Sequence, residues 1–249
     1  MTFSSGKKII IIGATSGIGE ELAKRYIQNG CILGITGRRK DLLDEVQKHH
    51  PDQIRTECFN VRKDDNIMHI QSLIHKLGGL DLLIYNSGFG DPSLSLDWEV
   101  DKATYETNVK GFIEIVHYAF NYFVQQGQGH IAATSSIASI RGNSWAPAYS
   151  ASKAFMSVYM EGLYMKAKKL AKANKGPQKI FITDIQPGFV NTKLAKGNGQ
   201  FWVAPVEKVA DQIHQAIEKK KWRVYVTRRW WLIAQLMKWA PGWLYHRIA

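Results

Sequence analysis

The apolar positions of this chain follow two alternating rhythms. Short unbroken runs rich in β-branched residues are separated by longer stretches in which apolar residues return every three or four positions. The unbroken runs suit strands buried on both faces of a parallel sheet, and the helical spacing suits the elements that cover such a sheet. Lys8–Ile12 predicts the first strand, ending at Gly13. Residues 17–28 carry Ile18, Leu22, Ala23, Tyr26 and Ile27 at helical spacing and stop at Asn29-Gly30. The alternation continues with a strand at 31–36, a helix at 40–48 closed by Pro51, a strand at 54–60, a helix at 64–77 and a strand at 80–85. A long helix is expected from about 103 to 126, a strand at 130–134, and a second long helix from Tyr149 to about Ala173. The pattern ends with a strand at 179–186 cut off by Pro187-Gly188, a helix at 206–219 and a strand at 222–226. Seven strands alternating with six helices predict an α/β fold: a Rossmann-type doubly wound parallel sheet with helices on both faces, a three-layer sandwich.

The length of 249 residues suits one such domain, and no repeat or composition break marks a second one within 1–227. The end of the chain is different. Five of the eight tryptophans (Trp222, Trp230, Trp231, Trp239 and Trp243) lie there, and residues 228–239 are apolar on most helical faces before Pro241-Gly242. About a dozen residues cannot span a bilayer. Residues 228–249 are therefore expected to form a helical extension that covers the substrate pocket, a partner subunit or a membrane surface. Charge is equally uneven: residues 150–249 hold 18 Lys and Arg against 5 Asp and Glu, whereas residues 1–149 hold 15 against 16. A solvated surface, an anionic membrane, an acidic partner or a nucleic acid would each suit that bias. Nothing besides charge supports nucleic acid, which is not expected as a partner. Cys31 and Cys58 have neither metal-ligand spacing nor the number for a disulfide framework, and no targeting segment is visible, so a reducing, cytoplasmic setting and no metal are expected.

Chemistry first shows at Gly13-Ala14-Thr15-Ser16-Gly17-Ile18-Gly19, between the first strand and the first helix. A helix N-terminus offers unpaired N–H groups to an anion, and glycine lets the backbone approach a pyrophosphate closely. Strand before and helix after make this a dinucleotide-binding turn. The second strand ends in Thr36-Gly37-Arg38-Arg39, with no carboxylate until Asp41. A carboxylate there would hold an adenosine ribose and repel a 2′-phosphate, whereas Arg38 and Arg39 suit the phosphate, so NADP(H) is expected rather than NAD(H). Tyr149 and Lys153 stand four residues apart on one face of a helix, where an ammonium can move a phenol toward the working pH. With 10 Tyr and 23 Lys, chance alone supplies about one such pair, and Tyr164–Lys168 is a second. Position separates them. Ser136 precedes Tyr149 by thirteen residues at the end of the fifth strand, the edge where α/β sheets bind ligands, while Tyr164 lies four turns further along. Tyr164–Lys168 reads as a packing or solvated pair.

The glycine spacing, the Ser135-Ser136 doublet, the Ser–Tyr separation and Tyr149-Ser150-Ala151-Ser152-Lys153 resemble the short-chain dehydrogenase/reductase family over nearly the whole chain. The resemblance implies hydride transfer between nicotinamide and a carbonyl carbon. Tyr149 would protonate the oxygen, Ser136 would hold it, Lys153 would tune Tyr149, and Asn108 would serve structure and a water-borne proton relay. It also implies cofactor contacts at Asn60, Val61, Asn86, Gly88, Pro187, Gly188, Val190 and Thr192, and a homodimer or homotetramer. Two departures stand out: the family's Asn-Asn-Ala-Gly is Tyr85-Asn86-Ser87-Gly88 here, and its Asp-Val is Asn60-Val61. Ile137, Asn143, Trp145, Phe189, Leu194, Phe201 and Trp202 are expected around an apolar substrate, with residues 191–200 as a modest lid. A reductase of carrier-bound 3-oxoacyl groups and a non-catalytic NADP(H)-sensing protein are the competing expectations.

Overall fold

The computed structural model describes residues 6–92, 95–192 and 201–248. Strands β1 (Lys8–Ile12), β2 (Ile32–Gly37), β3 (Ile54–Cys58), β4 (Leu82–Tyr85), β5 (Gly129–Thr134), β6 (Ile180–Pro187) and β7 (Arg223–Val226) form one parallel sheet in the order β3-β2-β1-β4-β5-β6-β7. The helices are α1 (Gly17–Gln28), α2 (Lys40–His49), α3 (Asn66–Leu77), α4 (Trp98–Tyr105), α5 (Gly111–Gln126), α6 (Pro147–Ala173), α7 (Val206–Glu218), α8 (Trp230–Trp239) and α9 (Gly242–Ile248). Strand direction alternates side chains between the two faces. In β1, Ile9 and Ile11 pack with Leu22 of α1, Leu43 of α2 and Ile213 of α7, whereas Ile10 and Ile12 pack with Leu73 of α3, Phe112 of α5 and Met156 of α6. The central isoleucines are fully buried, as unbroken apolar runs require. Chain order reverses between β1 and β4, and the crevice at that switch point holds the candidate site.

The helices depart most clearly from the periodicity at three places. The helix expected at 103–126 begins earlier, at Trp98, where the Asp97 carboxylate accepts from the Glu99 amide and caps α4. It is also interrupted by a π-helical turn at Glu106–Lys110 before continuing as α5. Apolar residues continue on both sides of the turn, from Ala103 to Phe112, Ile115 and Val116, so the sequence reads as a single helix. At the other end, α8 stops at Trp239 before Pro241-Gly242, with Ala240 extended, as the sequence indicates. Pro241-Gly242 also starts a further helix, α9, with the Pro241 carbonyl accepting from the Leu244 and Tyr245 amides. Proline suits a first turn because its missing N–H has no intrahelical partner there.

Candidate active site

The β1–α1 turn is built to receive an anion. Gly13 has φ +84°, and a Cβ there would collide with Ser87. A Cβ on Gly19 would lie 2.1 Å from the Gly13 carbonyl oxygen, so helix and turn touch directly. Ser16 stands at the N-cap with no side-chain cap bond, leaving the first N–H groups of α1, from Gly17, Ile18 and Gly19, to an incoming phosphate. Arg39 closes one side: its Nη2 donates to Thr15 Oγ1 at 2.9 Å and to the Thr15 carbonyl at 3.0 Å. Arg38 is exposed beside it. Asn86 closes the other side, donating to the Gly13 carbonyl at 3.2 Å and accepting from Thr134 Oγ1 at 3.0 Å. Thr192 reaches over from the loop after β6, its methyl 3.3 Å from where a Gly17 Cβ would stand. An uncapped helix start and a glycine-lined cradle fit a dinucleotide pyrophosphate.

Further along the same edge lie Ser136, Tyr149 and Lys153. Ser136 follows β5 and accepts from the Ala138 amide at 3.1 Å, which fixes its hydroxyl at the head of a short 3₁₀ turn. Tyr149 enters α6 just after Pro147, and its ring packs on Gly90, where a Cβ would lie 2.3 Å from the ring. Burial pushes the Tyr149 phenol above its ordinary value while the Ser136 hydroxyl pulls it down. Lys153 is buried, with Nζ 5.7 Å from the Tyr149 ring centroid and donating to the Thr134 carbonyl at 2.9 Å. Burial drives this ammonium down to about 7, against an upward pull from Asp184. Burial thus disfavours the charged form of both groups, the phenolate of Tyr149 and the ammonium of Lys153, because both sit in a poorly solvated crevice.

Asn108 lies inside the π-helical turn and is wholly buried. Its Oδ1 accepts from the Phe89 amide at 2.9 Å, while Nδ2 donates to the Phe89 carbonyl at 2.7 Å and to Ser152 Oγ at 2.9 Å. Ser152 in turn donates to the Tyr149 carbonyl at 2.7 Å. Both amide hydrogens are thus committed to positioning the Gly88–Phe89 segment and the start of α6. A Cβ on Gly88 would come 3.3 Å from Lys153 Nζ, so this segment roofs the ammonium. Tyr85 explains its own departure from the family pattern: it is buried, and its hydroxyl donates to the Thr107 carbonyl at 2.6 Å, bracing the π turn from the sheet.

The remaining expected contacts divide. Pro187 ends β6, Gly188 follows it, and Val190 bridges to Ala204 just beyond. Asn60 accepts from the Arg62 amide at 3.2 Å, so the acceptor end of its side chain already holds the loop after β3. Val61 is buried against Gly111 at the start of α5. Among the pocket residues, Phe189, Phe201 and Trp202 cluster around Trp230, with ring centroids 5.2 to 6.1 Å from its indole. Leu194 and most of the expected lid, 193–200, lie outside the described residues. Tyr164 stacks on Trp222 at 5.0 Å with Lys168 Nζ 4.6 Å from its ring, a packing pair away from the crevice.

Sequence reasoning missed the support behind β5. Asp184, fully buried in β6, accepts from Ser135, Ser157, Gln186 and the Arg223 guanidinium, the last at 3.0 Å. A buried carboxylate needs this many donors to offset its lost hydration. The network ties Ser135, next to Ser136, to α6 and β7. Its signal was present, since Asp184 is a lone charge within an apolar strand, with Arg223 leading the strand beside it.

An anion cradle and a hydroxyl pair beside a buried lysine, sharing one sheet edge, meet the needs of an oxidoreductase that works with a nicotinamide dinucleotide. The comparisons place the chain accordingly: the family model described as short chain dehydrogenase matches residues 7–201, and the chain belongs to that family. It is 31% identical over 204 residues to an uncharacterized oxidoreductase of Myxococcus xanthus, covering 80% of this chain and 78% of that one. It is 32% identical over 223 residues to the 11-beta-hydroxysteroid dehydrogenase A of Sesamum indicum, covering 84% of this chain and 58% of that protein. In fold it is similar to a short-chain dehydrogenase of Burkholderia cenocepacia solved with NADP, at TM-score 0.82 and 19% identity over 100% of this chain and 99% of that one.

Proposed function

We propose that this oxidoreductase transfers hydride between NADP(H) and the carbonyl or secondary alcohol of an apolar substrate. The observation that carries the reading is the shared crevice, in which Ser136, Tyr149 and Lys153 stand at the same sheet edge as the uncapped start of α1. A bound nicotinamide supplies or accepts the hydride at the carbon that bears the reacting oxygen. This chain's part concerns the oxygen and its proton. Tyr149, held as a phenol by burial, gives its proton to the oxygen as negative charge develops there, and Ser136 donates a hydrogen bond to the same atom. Lys153, poised near neutrality, is suited to return a proton toward Tyr149. Asn108 keeps the Gly88 roof and the first turn of α6 in register.

Preference for NADP(H) is supported by Arg38 and Arg39 and by the lack of a carboxylate at the end of β2. An apolar substrate is supported by the aromatic wall of Phe189, Phe201, Trp202 and Trp230 next to Gly188. Carrier-bound 3-oxoacyl groups are the second candidate substrate, favoured by the basic C-terminal end. A panel of ketones, steroids, sugars and acyl thioesters, followed by NADPH absorbance, tests both. We expect turnover with apolar ketones, NADPH favoured over NADH by about tenfold or more, and reversal of that preference in Arg38→Asp. Tyr149→Phe should lower turnover by about a thousandfold or more with nearly unchanged NADPH affinity. Retained turnover in Tyr149→Phe, or a native preference for NADH, overturns the assignment.

A further inference from the structure

Helix α8 has two apolar faces, and the fold uses only one. Trp230 and Ala234 are buried, with the Trp230 indole lying where a Cβ on Gly188 would stand. The opposite face carries Trp231, Leu232, Leu236 and Trp239, all exposed, the last at 83%, with Gln235 the one polar residue among them. Trp243 and Leu244 of α9 are exposed as well. This display is held in place. Arg141 Nη1 donates to the Ala240 carbonyl at 3.1 Å and its guanidinium stacks 4.5 Å over the Tyr245 ring, while the Tyr245 hydroxyl donates to the Gly142 carbonyl at 2.7 Å. Lys238 Nζ donates to the Tyr225 hydroxyl at 3.1 Å. Contiguous exposed apolar surface of this kind marks an interaction site.

We propose that the α8–α9 end is a docking face for a lipid bilayer with anionic headgroups. Charge selects this occupant. No Asp or Glu follows Glu218, and Arg228, Arg229, Lys238 and Arg247 flank the apolar face, all of them exposed. Two copies meeting through this face would bring like charges together without a compensating carboxylate, whereas an anionic surface neutralises them. Three exposed tryptophans on two adjoining short helices suit the headgroup level, where an indole has both an apolar and a polar neighbour. No helix among the described residues is long and apolar enough to cross a membrane, so the contact is in-plane attachment.

Flotation of the full chain with phosphatidylcholine vesicles, with and without phosphatidylglycerol, tests this without reference to turnover. The protein should float with the anionic vesicles at low salt and less at high salt, with a blue shift of tryptophan emission. Trp231→Ser, Trp239→Ser and Trp243→Ser combined should keep NADPH binding and thermal stability while losing vesicle binding by about tenfold or more. Arg228→Glu with Arg247→Glu should weaken the anionic preference, a second readout should the triple variant misfold. Failure of the full chain to float overturns the proposal. So does a dimer that the tryptophan variant splits while neither protein binds vesicles, or binding confined to an acidic protein.

Discussion

Lys153 places an ionisable group where water cannot serve it, and its protonation is tied to folding. Its ammonium titrates near 7 in the folded chain against an ordinary value of 10.5. Between those values the unfolded chain binds more protons, so stability rises with pH across that window and the penalty of burial is fully present below 7. Cys31, pushed up by burial from 9 to about 11, acts in the opposite sense above pH 9. The difference between the native protein and Lys153→Met removes that shared contribution. Thermal melts of the cofactor-free proteins should show Lys153→Met gaining most below pH 7, with the gap narrowing toward pH 10. A constant gap would mean that Lys153 is not depressed. None of this was visible in Tyr149-Ser150-Ala151-Ser152-Lys153, where spacing indicates proximity but not the depth of the crevice.

Among the elements, the π-helical turn is where the fold does most for the site and the sequence reveals least. It swings Asn108 into the space between Phe89 and Ser152, and Tyr85 holds it there from the sheet. Tyr85→Phe leaves the Thr107 carbonyl buried without its donor, a cost of about 1–3 kcal/mol. Turnover should fall with it, since Asn108 sits on the loosened turn, and calorimetry alongside kcat would show both; an unchanged melt and rate would free the turn from Tyr85. The central strands were readable because β1 and β4 are apolar runs with no polar interruption between Ile9 and Ile12 or between Leu82 and Tyr85, and α1 because its period is clean between two glycine signals. The β5–β6 pair hides a second polar device. His130, buried, contacts Thr183 Oγ1 at 2.8 Å, and burial drives its imidazole down to about 3. Since the unfolded ring titrates near 6.5, stability should be lost as pH falls from 6.5 toward 3. His130→Gln should shift the acid midpoint of unfolding lower, measured by far-UV circular dichroism; an unmoved midpoint refutes the assignment.

At the scale of the whole molecule, catalytic and basic features are sorted along the chain. The half up to β5 supplies the cradle and is nearly neutral, while the half from α6 onward supplies Tyr149, Lys153 and the excess charge. The glycine spacing and the Ser136–Tyr149 separation made the crevice legible, since both are local signals set at strand ends. The wall around Trp230 was not, because it joins Gly188, Phe201 and α8 through space. An apolar helix looks alike in sequence whether its outer face is covered or bare.

That wall has a practical consequence. The Trp230 ring fills the room above Gly188, so any side chain larger than hydrogen at 188 must displace Trp230, and any loss of α8 leaves a hollow beside the end of β6. Shortening the protein after Thr227 would thus reshape the interior and erase the outer surface together. The two halves of the helix can be told apart only by editing one side at a time.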